Sequence, residues 1–445
     1  MYSAGADDLM IVNAEVEGVA GLNVRCRDGR VVEIGRGLAI APGEDTLDAR
    51  GGALLPGLND HHIHLFSLAA ARRSVPCGPP SVTTRAQLGT ALENALGDDW
   101  IRGVGYHESV AGMLDKQSLD EIRDDRPVRI QHRSGKMWFV NSLAAQRLGI
   151  ETASGQLFRL DTLLRERLAE DDDLIAAVED TSRLLASYGV TGITDATYTN
   201  DDTTEALYQR LELCQRVNLM GDDSLRTGSL KIMLDDAALP DLDDLRERVA
   251  RAHHRGRPVA FHCVTRTELV FALAALRDAG TTPGDRIEHA AVTDGPTLRL
   301  LRQVSRDDHH VTVVTQPNFI AERGDQYLED VPPEDHDTLY RCRGFLDAGI
   351  PLGGGTDAPY GDPDPWAAIR AAVERQTTRG EILGEDETLT PEQALGLFLT
   401  PLDSPGGPPR RVVVGAPVDF CVLGTRWEEA RDSLGAELVS RTVRH

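Results

Sequence analysis

The chain has 445 residues, of which 41% are hydrophobic and 27% are charged, a balance typical of a soluble globular protein with a full core. Its formal net charge of −24 repels phosphate backbones and offers no polybasic patch, which argues against nucleic acid and membranes as partners. The length suits a large barrel together with a small companion domain.

Cysteine usage and the N-terminal segment bear on the cellular compartment. The six cysteines are scattered and none forms a C-x-x-C pair, which is typical of reduced thiols. The first residues show no basic region followed by an apolar run, so we expect no signal peptide. No apolar stretch approaches the ~18 residues that span a bilayer. These features predict a cytoplasmic protein whose partner is a small-molecule substrate, and they leave a homo-oligomer open.

Short β-rich apolar runs alternate along the chain with longer amphipathic stretches, a pattern that predicts parallel βα units. Eight such runs fit a closed (β/α)₈ barrel. In chain order they are Ala53–Leu65, Val128–His132, Val190–Thr199, Leu230–Leu234, Pro258–Val264, Arg286–Val292, His310–Phe319 and Ile350–Tyr360. Residues 67–126, between the first two runs, exceed one crossover helix, and we interpret them as an insertion that covers the barrel mouth.

The two ends of the chain differ from its middle. Residues 8–48 contain short alternating segments broken by glycine, and the strand-like run Asp419–Leu423 follows a stretch rich in proline and glycine. The sequence therefore predicts an α/β fold, a TIM-type (β/α)₈ barrel with a small β-sandwich domain built from both termini. The predicted parts are the β domain over 1–53 and 403–445, and the barrel over 54–402 with the insertion 67–126.

The strongest chemical signal is the pair His62 and His64 at the end of the first predicted strand. Residues two apart share one face of a strand, so both imidazoles can point into the barrel mouth, where barrel enzymes place their sites. Neutral imidazole is a good ligand for zinc and related ions. His61 alternates to the opposite face and is not predicted to be a ligand. An H-x-H pair alone is weak evidence, because partly buried histidines are common.

Two further histidines, His262 and His289, lie at the ends of the fifth and sixth runs. Each by itself is more often a hydrogen-bonded core histidine than a ligand. Together with the H-x-H pair, they place four histidines on the carboxyl ends of strands of one barrel, which predicts a metal site.

Asp357 follows a glycine run at the end of the eighth predicted strand. The glycines permit close approach of the backbone. An aspartate that faces cationic centres stays ionised, and it can bind metal or accept a proton from the attacking water. The alternative is that Asp357 caps the turn at Pro359, and the catalytic role is the preferred hypothesis.

Lys231 lies inside an apolar run, where a lysine is costly to bury unless it is paired. One interpretation is an ion pair with a carboxylate such as Asp235 or Asp195. The other is that its unprotonated amine adds carbon dioxide and forms a carbamate that bridges two metals. The residues alone leave both interpretations open.

The order of motifs resembles that of the amidohydrolase superfamily. The motifs are PGLNDHHIHL, the lysine of LKIMLDD, the fifth-run histidine, RIEHA and GGTDAP. The chain is most similar to the YtcJ-like, or amidohydrolase-3, group, which includes N-substituted formamide deformylases, and the resemblance covers nearly the whole chain. It implies one or two divalent ions, with zinc as the default, and carbon dioxide bound as a lysine carbamate. The implied ligands are His62, His64, Lys231, His262, His289 and Asp357.

The resemblance implies an enzyme that cleaves an amide-type C–N bond, in an N-acyl, N-formyl or cyclic amide, with metal-activated water. An alternative is a heterocycle aminohydrolase, or deaminase. Such enzymes resemble an arrangement with glutamate three residues after the fifth-strand histidine, where this chain has Thr265. An alternative of another class is a non-catalytic binding protein on the same barrel, and the full ligand set argues against it.

The substrate side of the site is where the chain departs from its relatives. They often have glycine-histidine in the segment where this chain has Ser134-Gly135-Lys136-Met137-Trp138. They often have glycine-aspartate shortly after the fifth-strand histidine, where it has Val264-Thr265-Arg266. Lys136 follows the second predicted strand, so we expect it at the barrel mouth, where its charge could recognise an anionic substrate. Trp138 and Tyr106 could supply an apolar wall. The alternative is that Lys136 is a solvated loop lysine.

Overall fold

The chain divides into two units in a computed structural model. The barrel unit comprises residues 1–64 and 182–445, and the inserted unit comprises residues 65–181. The structure describes residues 2–4, 8–95, 100–135, 137–158, 172–305 and 311–445. The predicted insertion of residues 67–126 therefore lies within the inserted unit, which extends further along the chain, to residue 181.

Eight parallel strands, all within the described residues, form the barrel in sequential order. They are β1 Leu58–Ile63, β2 Val190–Asp195, β3 Arg216–Gly221, β4 Ser229–Met233, β5 Val259–Cys263, β6 Arg286–His289, β7 Thr312–Thr315 and β8 Leu352–Gly354. The segment after β8 meets the end of β1, because the amide of Asp357 donates to the carbonyl of His62 at 2.8 Å and the amide of His64 donates to the carbonyl of Ala358 at 2.9 Å. The predicted barrel architecture is confirmed.

One predicted barrel strand was wrong, and one barrel strand was overlooked. Val128–His132 lies in a sheet of the inserted unit, paired in parallel with Ile101–Tyr106 and antiparallel with Met137–Val140. The third barrel strand is Arg216–Gly221, which was not among the eight predicted runs. A short apolar run indicates that a strand forms but not which sheet it joins. The polar residues Arg216 and Asn218 interrupt the apolar pattern of the actual third strand, so it was not recognised.

Several helices of the barrel unit begin at capping residues, as the helix Arg266–Ala279 shows. The Thr265 hydroxyl accepts a hydrogen bond from the amide of Glu268, whose carboxylate accepts one from the amide of Thr265 in return. Leu269, Leu273 and Leu276 form its buried face at helical spacing. The other α-helices of this unit are Asp202–Tyr208, Leu242–His254, Gly295–Val304, Asn318–Asp330, Arg343–Asp347, Pro365–Glu374, Pro391–Leu399 and Trp427–Ala430, and its 3₁₀ helices are Asp236–Ala238, Pro333–Thr338, Glu385–Glu387 and Ala436–Leu438.

Both ends of the chain build one terminal β domain, as predicted. Tyr2–Ala4 pairs in parallel with Val439–Arg444, and Ala53–Pro56 pairs antiparallel with Asp419–Leu423. The remaining strands of this sheet are Asp8–Val16, Val19–Arg27, Arg30–Gly35 and Asp45–Asp48. Because Ala53–Pro56 belongs to this sheet, the chain enters the barrel only at Leu58.

The inserted unit has its own mixed sheet and its own apolar core. Besides Val128–His132 and its two partner strands, the sheet contains Val75–Pro76 and Gln156–Phe158. Its α-helices are Leu65–Arg72, Arg85–Glu93, Glu108–Ala111, Lys116–Asp120 and Ser142–Leu148, and the helix Asp172–Ser187 spans the boundary between the units.

All six cysteines lie in described parts of the chain, and they are buried free thiols. Burial raises the pKa of the Cys342 and Cys421 thiols to about 12, which keeps both protonated. None of the helices described is long and apolar enough to cross a bilayer.

Candidate metal centre

The barrel gathers the sequence-predicted histidines and aspartate at the carboxyl end of its strands. Ligand atoms of His62, His289 and Asp357 all lie within 4.8 Å of one another. The imidazole centroid of His64 lies 5.5 Å from that of His62, and the imidazole centroid of His262 lies 4.7 Å from that of His289. The five side chains come from β1 and the residue after it, from β5 and β6, and from the segment after β8, so they meet only in the closed barrel.

The Asp357 carboxylate faces two imidazoles. Its Oδ1 lies 3.4 Å from Nε2 of His62 and 3.2 Å from Nε2 of His64. This oxygen is buried, and it has no hydrogen-bond donor among the described residues. A buried, unsatisfied carboxylate oxygen is costly unless a cation or a donor completes it.

Oxygen partners orient three of the imidazole rings through their Nδ1 atoms. His62 Nδ1 contacts Oε2 of Glu288, His64 Nδ1 lies 2.9 Å from Oγ1 of Thr197, and His289 Nδ1 lies 2.7 Å from Oε1 of Gln316. Carboxylate and amide oxygens accept hydrogen bonds, so the partners of His62 and His289 assign the ring proton to Nδ1. Nε2 then carries the lone pair, which is how metal-binding histidines are commonly held.

Burial holds two imidazoles of the site in the neutral form. Burial lowers the pKa of His62 far below its usual range, and the Lys231 charge lowers it further. Burial likewise lowers the pKa of His289, and His262 adds to the effect. Neutral imidazole is the form that binds metal.

Glu288 and Arg286 support His62, and neither was singled out from the sequence. Burial by itself would raise the pKa of Glu288, but the charges of Arg286 and Lys231 outweigh it and the pKa is lowered. Arg286 Nη2 donates to Glu288 Oε2 at 3.0 Å and to the carbonyl of His61 at 2.7 Å. Two charged residues at alternate positions of an apolar strand were the available signal, since buried charges must be paired.

Lys231 is buried in β4, and its Nζ has no hydrogen-bond partner among the described residues. Burial lowers its pKa to about 8, against the opposing effects of the Glu288 and Asp357 carboxylates. Asp195, one of the two suggested ion-pair partners, instead accepts hydrogen bonds from the Tyr208 hydroxyl at 2.6 Å and from the Asn200 amide at 3.0 Å. The structure therefore pairs Lys231 with neither of the carboxylates that the first interpretation named.

The backbone is unusual where the ligand-bearing strands end. His289 has φ +69° and Asp357 has φ +56°, in the left-handed region that residues with side chains rarely adopt. A Cβ on Gly355 would lie 2.6 Å from Cβ of His62, so this position requires glycine. The buried Asp60 carboxylate links the end of β1 to the segment after β8, because it accepts hydrogen bonds from the amides of His62 and Thr356, each at 3.1 Å.

The residues predicted to bind substrate all lie in the inserted unit. Lys136 lies outside the described residues. Tyr106 is buried in the core of this unit and donates its hydroxyl to the carbonyl of Gly112 at 2.6 Å. Trp138 is also buried, with the guanidinium of Arg102 over its ring. Lys136 was predicted to lie at the barrel mouth because it follows Val128–His132. That strand belongs to the inserted unit and not to the barrel, so this reason does not hold. Both aromatic placements favour a core role.

Replacing Glu288 with glutamine is expected to weaken the binding of a divalent metal by about 10–100-fold, the usual effect of losing a group that orients a ligand. Glutamine keeps an acceptor for His62 but removes the charge that neutralises Arg286. The matched control is Glu387→Gln, which alters another buried glutamate paired with an arginine, Arg341, at 2.7 Å. Titration against a competing chelator measures both affinities, and equal values for the two variants would show that Glu288 does not support the centre.

Comparison with known proteins gives consistent matches over most of the chain. The model of a family described as "Amidohydrolase family" matches residues 45–399. An N-substituted formamide deformylase from Arthrobacter pascens is 26% identical, and the alignment covers 88% of each chain.

Two solved structures share the fold. Uncharacterized metal-dependent hydrolases from Pyrococcus furiosus and Pyrococcus horikoshii OT3 superimpose with TM-scores of 0.70 and 0.73. They are 20% and 18% identical, and the matches cover 93% and 94% of this chain and 98% and 97% of theirs.

Proposed function

This chain belongs to the amidohydrolase family, and we propose that it hydrolyses an amide-type C–N bond of a small molecule at the carboxyl end of its barrel. The observation that carries the proposal is the buried Asp357 oxygen, which faces the Nε2 atoms of His62 and His64 and has no hydrogen-bond donor among the described residues. The proposed ligands are His62, His64, Lys231, His262, His289 and Asp357.

The side chains present fit a divalent metal. Asp357 offers a carboxylate oxygen, and the Nδ1 contact of His62 leaves its Nε2 as an acceptor, so two acceptors face each other. Nitrogen and oxygen ligands of this kind suit zinc, and we propose one or two zinc ions. A divalent ion held here would polarise the substrate carbonyl and lower the pKa of water.

The proton transfers of the reaction fall to Asp357. Its carboxylate accepts a proton as water adds to the carbonyl carbon, and it returns that proton to the nitrogen as the C–N bond breaks. The products are a carboxylic acid and an amine. His62 and His289, whose pKa values burial lowers, remain neutral and fixed through their Nδ1 contacts, so they position the reacting groups without exchanging protons.

For Lys231 we propose a carbamate. The unprotonated Nζ adds to the carbon of carbon dioxide, loses one proton, and becomes an anionic group that ends in two oxygens. Burial, a pKa lowered to about 8 and the lack of a hydrogen-bond partner among the described residues support this, because they leave a neutral amine available.

The deaminase alternative receives no support from the position that would decide it. The Thr265 hydroxyl is occupied as the cap of the helix Arg266–Ala279, and it offers no carboxylate near His262. We also propose that the enzyme is cytoplasmic, since its six buried cysteines are free thiols.

A hydrolysis screen tests the function. Zinc-loaded enzyme is incubated with N-formyl amines, N-acyl amino acids, lactams and hydantoins, and the free amine or acid is measured. We expect turnover in at least one amide class, with N-formyl amines the first choice because of the deformylase relative. Ammonia release from heterocycles without amide cleavage would contradict the proposal and support the deaminase.

A further inference from the structure

Three large apolar side chains stand exposed where barrel strands end. Tyr198 is 44% exposed, Met233 is 40% exposed and Val264 is 37% exposed. Tyr198 follows β2, Met233 is the last residue of β4, and Val264 follows β5. Large exposed apolar side chains at the end of a barrel that also carries a polar site favour a binding surface. We call these three residues the apolar collar.

The period of the strands places two of the collar residues on faces that carry proposed ligands. Met233 lies two residues after Lys231, and Val264 lies two residues after His262, so each continues the face that carries a proposed ligand.

Tyr198 lies in the turn that follows β2. It lies two residues after Ala196, which packs inside the barrel against Met220 and Ala260. Its neighbour Thr197 contacts His64. All three collar residues therefore lie at the carboxyl ends of barrel strands, the end that carries the proposed ligands.

We propose that the collar binds an apolar aliphatic or aromatic substituent attached next to the scissile C–N bond, which makes amides with such a substituent the substrate class. The inference rests on the proposed function for the location of the scissile bond. The three side chains carry no charge and little hydrogen-bonding capacity, so a substituent gains there mainly by leaving water. A small polar amide would leave the collar exposed.

Chain-length series test this inference in the zinc-loaded enzyme. One series varies the nitrogen substituent, from N-methylformamide through N-butylformamide to N-benzylformamide, and the other varies the acyl chain, from N-methylacetamide to N-methylhexanamide. We expect kcat/KM to rise about fourfold per buried methylene in at least one series, which amounts to tens-fold from methyl to butyl. A flat response in both series, with measurable turnover, would overturn the proposal.

Two variants test whether the preference for longer substituents arises from the apolar collar. The double variant Met233→Gln with Val264→Thr keeps the shape of both side chains but makes them polar, and it is expected to reduce the butyl-to-methyl ratio of kcat/KM about tenfold. The control is Val270→Thr, which changes a valine that is 39% exposed on the helix Arg266–Ala279. An unchanged ratio in the double variant, or an equal change in the control, would show that the collar does not set the preference.

A binding measurement separates this inference from the proposed reaction. Hydroxamates chelate zinc without being cleaved as amides, so calorimetry can compare acetohydroxamate with hexanohydroxamate, which is longer on the acyl side, and with N-butylacetohydroxamate, which is longer on the nitrogen side. We expect at least one of the two longer compounds to bind at least about tenfold tighter in wild type, and less so in the double variant. Equal affinities of all three compounds would overturn the collar even if amides are cleaved. A retained length preference without any amide hydrolysis would support the collar and reject the proposed reaction.

Discussion

Asp357→Asn is expected to lower kcat by about 10²–10⁴-fold, the range by which positioned acid–base groups accelerate reactions. Asparagine preserves the shape of the side chain, and its carbonyl oxygen can still face His62 and His64. It cannot accept a proton at neutral pH, so the transfer from water to the leaving nitrogen is lost. The fold should remain, because the backbone amide at position 357 still donates to the carbonyl of His62.

The control for this variant is Asp362→Asn, which changes an exposed aspartate in the same loop. Steady-state kinetics and circular dichroism measure activity and folding. Near-normal kcat in Asp357→Asn would make this aspartate structural and would place the proton transfers on another group.

Lys231→Ala is expected to lose bound metal and most of the activity. Loss of a group that only orients a ligand typically costs about 10–100-fold, and we expect a larger loss here. The proposed carbamate is itself a ligand, and alanine offers no atom in its place. A short carboxylate such as acetate or propionate should restore part of both, because it supplies two oxygens in the space that the side chain leaves.

Labelled carbon dioxide tests the carbamate directly. Enzyme equilibrated with ¹³C-bicarbonate should show a carbamate resonance that Lys231→Ala removes. Lys116→Ala is the matched control, since Lys116 is another of the few lysines and donates its Nζ to the carbonyl of Thr152 at 3.0 Å. A metal-loaded, active enzyme without that resonance would contradict the carbamate.

The sequence predicted the barrel, and the structure brings the proposed ligands to one end of it. His62, His262 and His289 could be placed because each ends a recognisable strand, and the carboxyl ends of parallel strands in a barrel meet at one face. Lys231 could be singled out because an isolated lysine in an apolar strand must have a buried environment. Periodicity and position were sufficient for these residues.

Features that depend on the assembled fold could not be predicted. Val128–His132 has the pattern of a barrel strand, but its partner Met137–Val140 places it in another sheet. The positive φ values of His289 and Asp357 have no signature in the sequence, since neither residue is glycine. Tyr106 was interpreted as a pocket wall, whereas aromatic side chains far more often fill a core, as this one does.

Metal content together with its effect on activity tests the central claim most directly. Elemental analysis of the purified enzyme should find one or two equivalents of a divalent transition metal per chain, which is the number that the proposed ligands can hold. Removal of that metal with a chelator should abolish amide hydrolysis, and added zinc should restore it. An enzyme that contains no transition metal and keeps full activity after chelation would contradict the proposed metal-dependent mechanism.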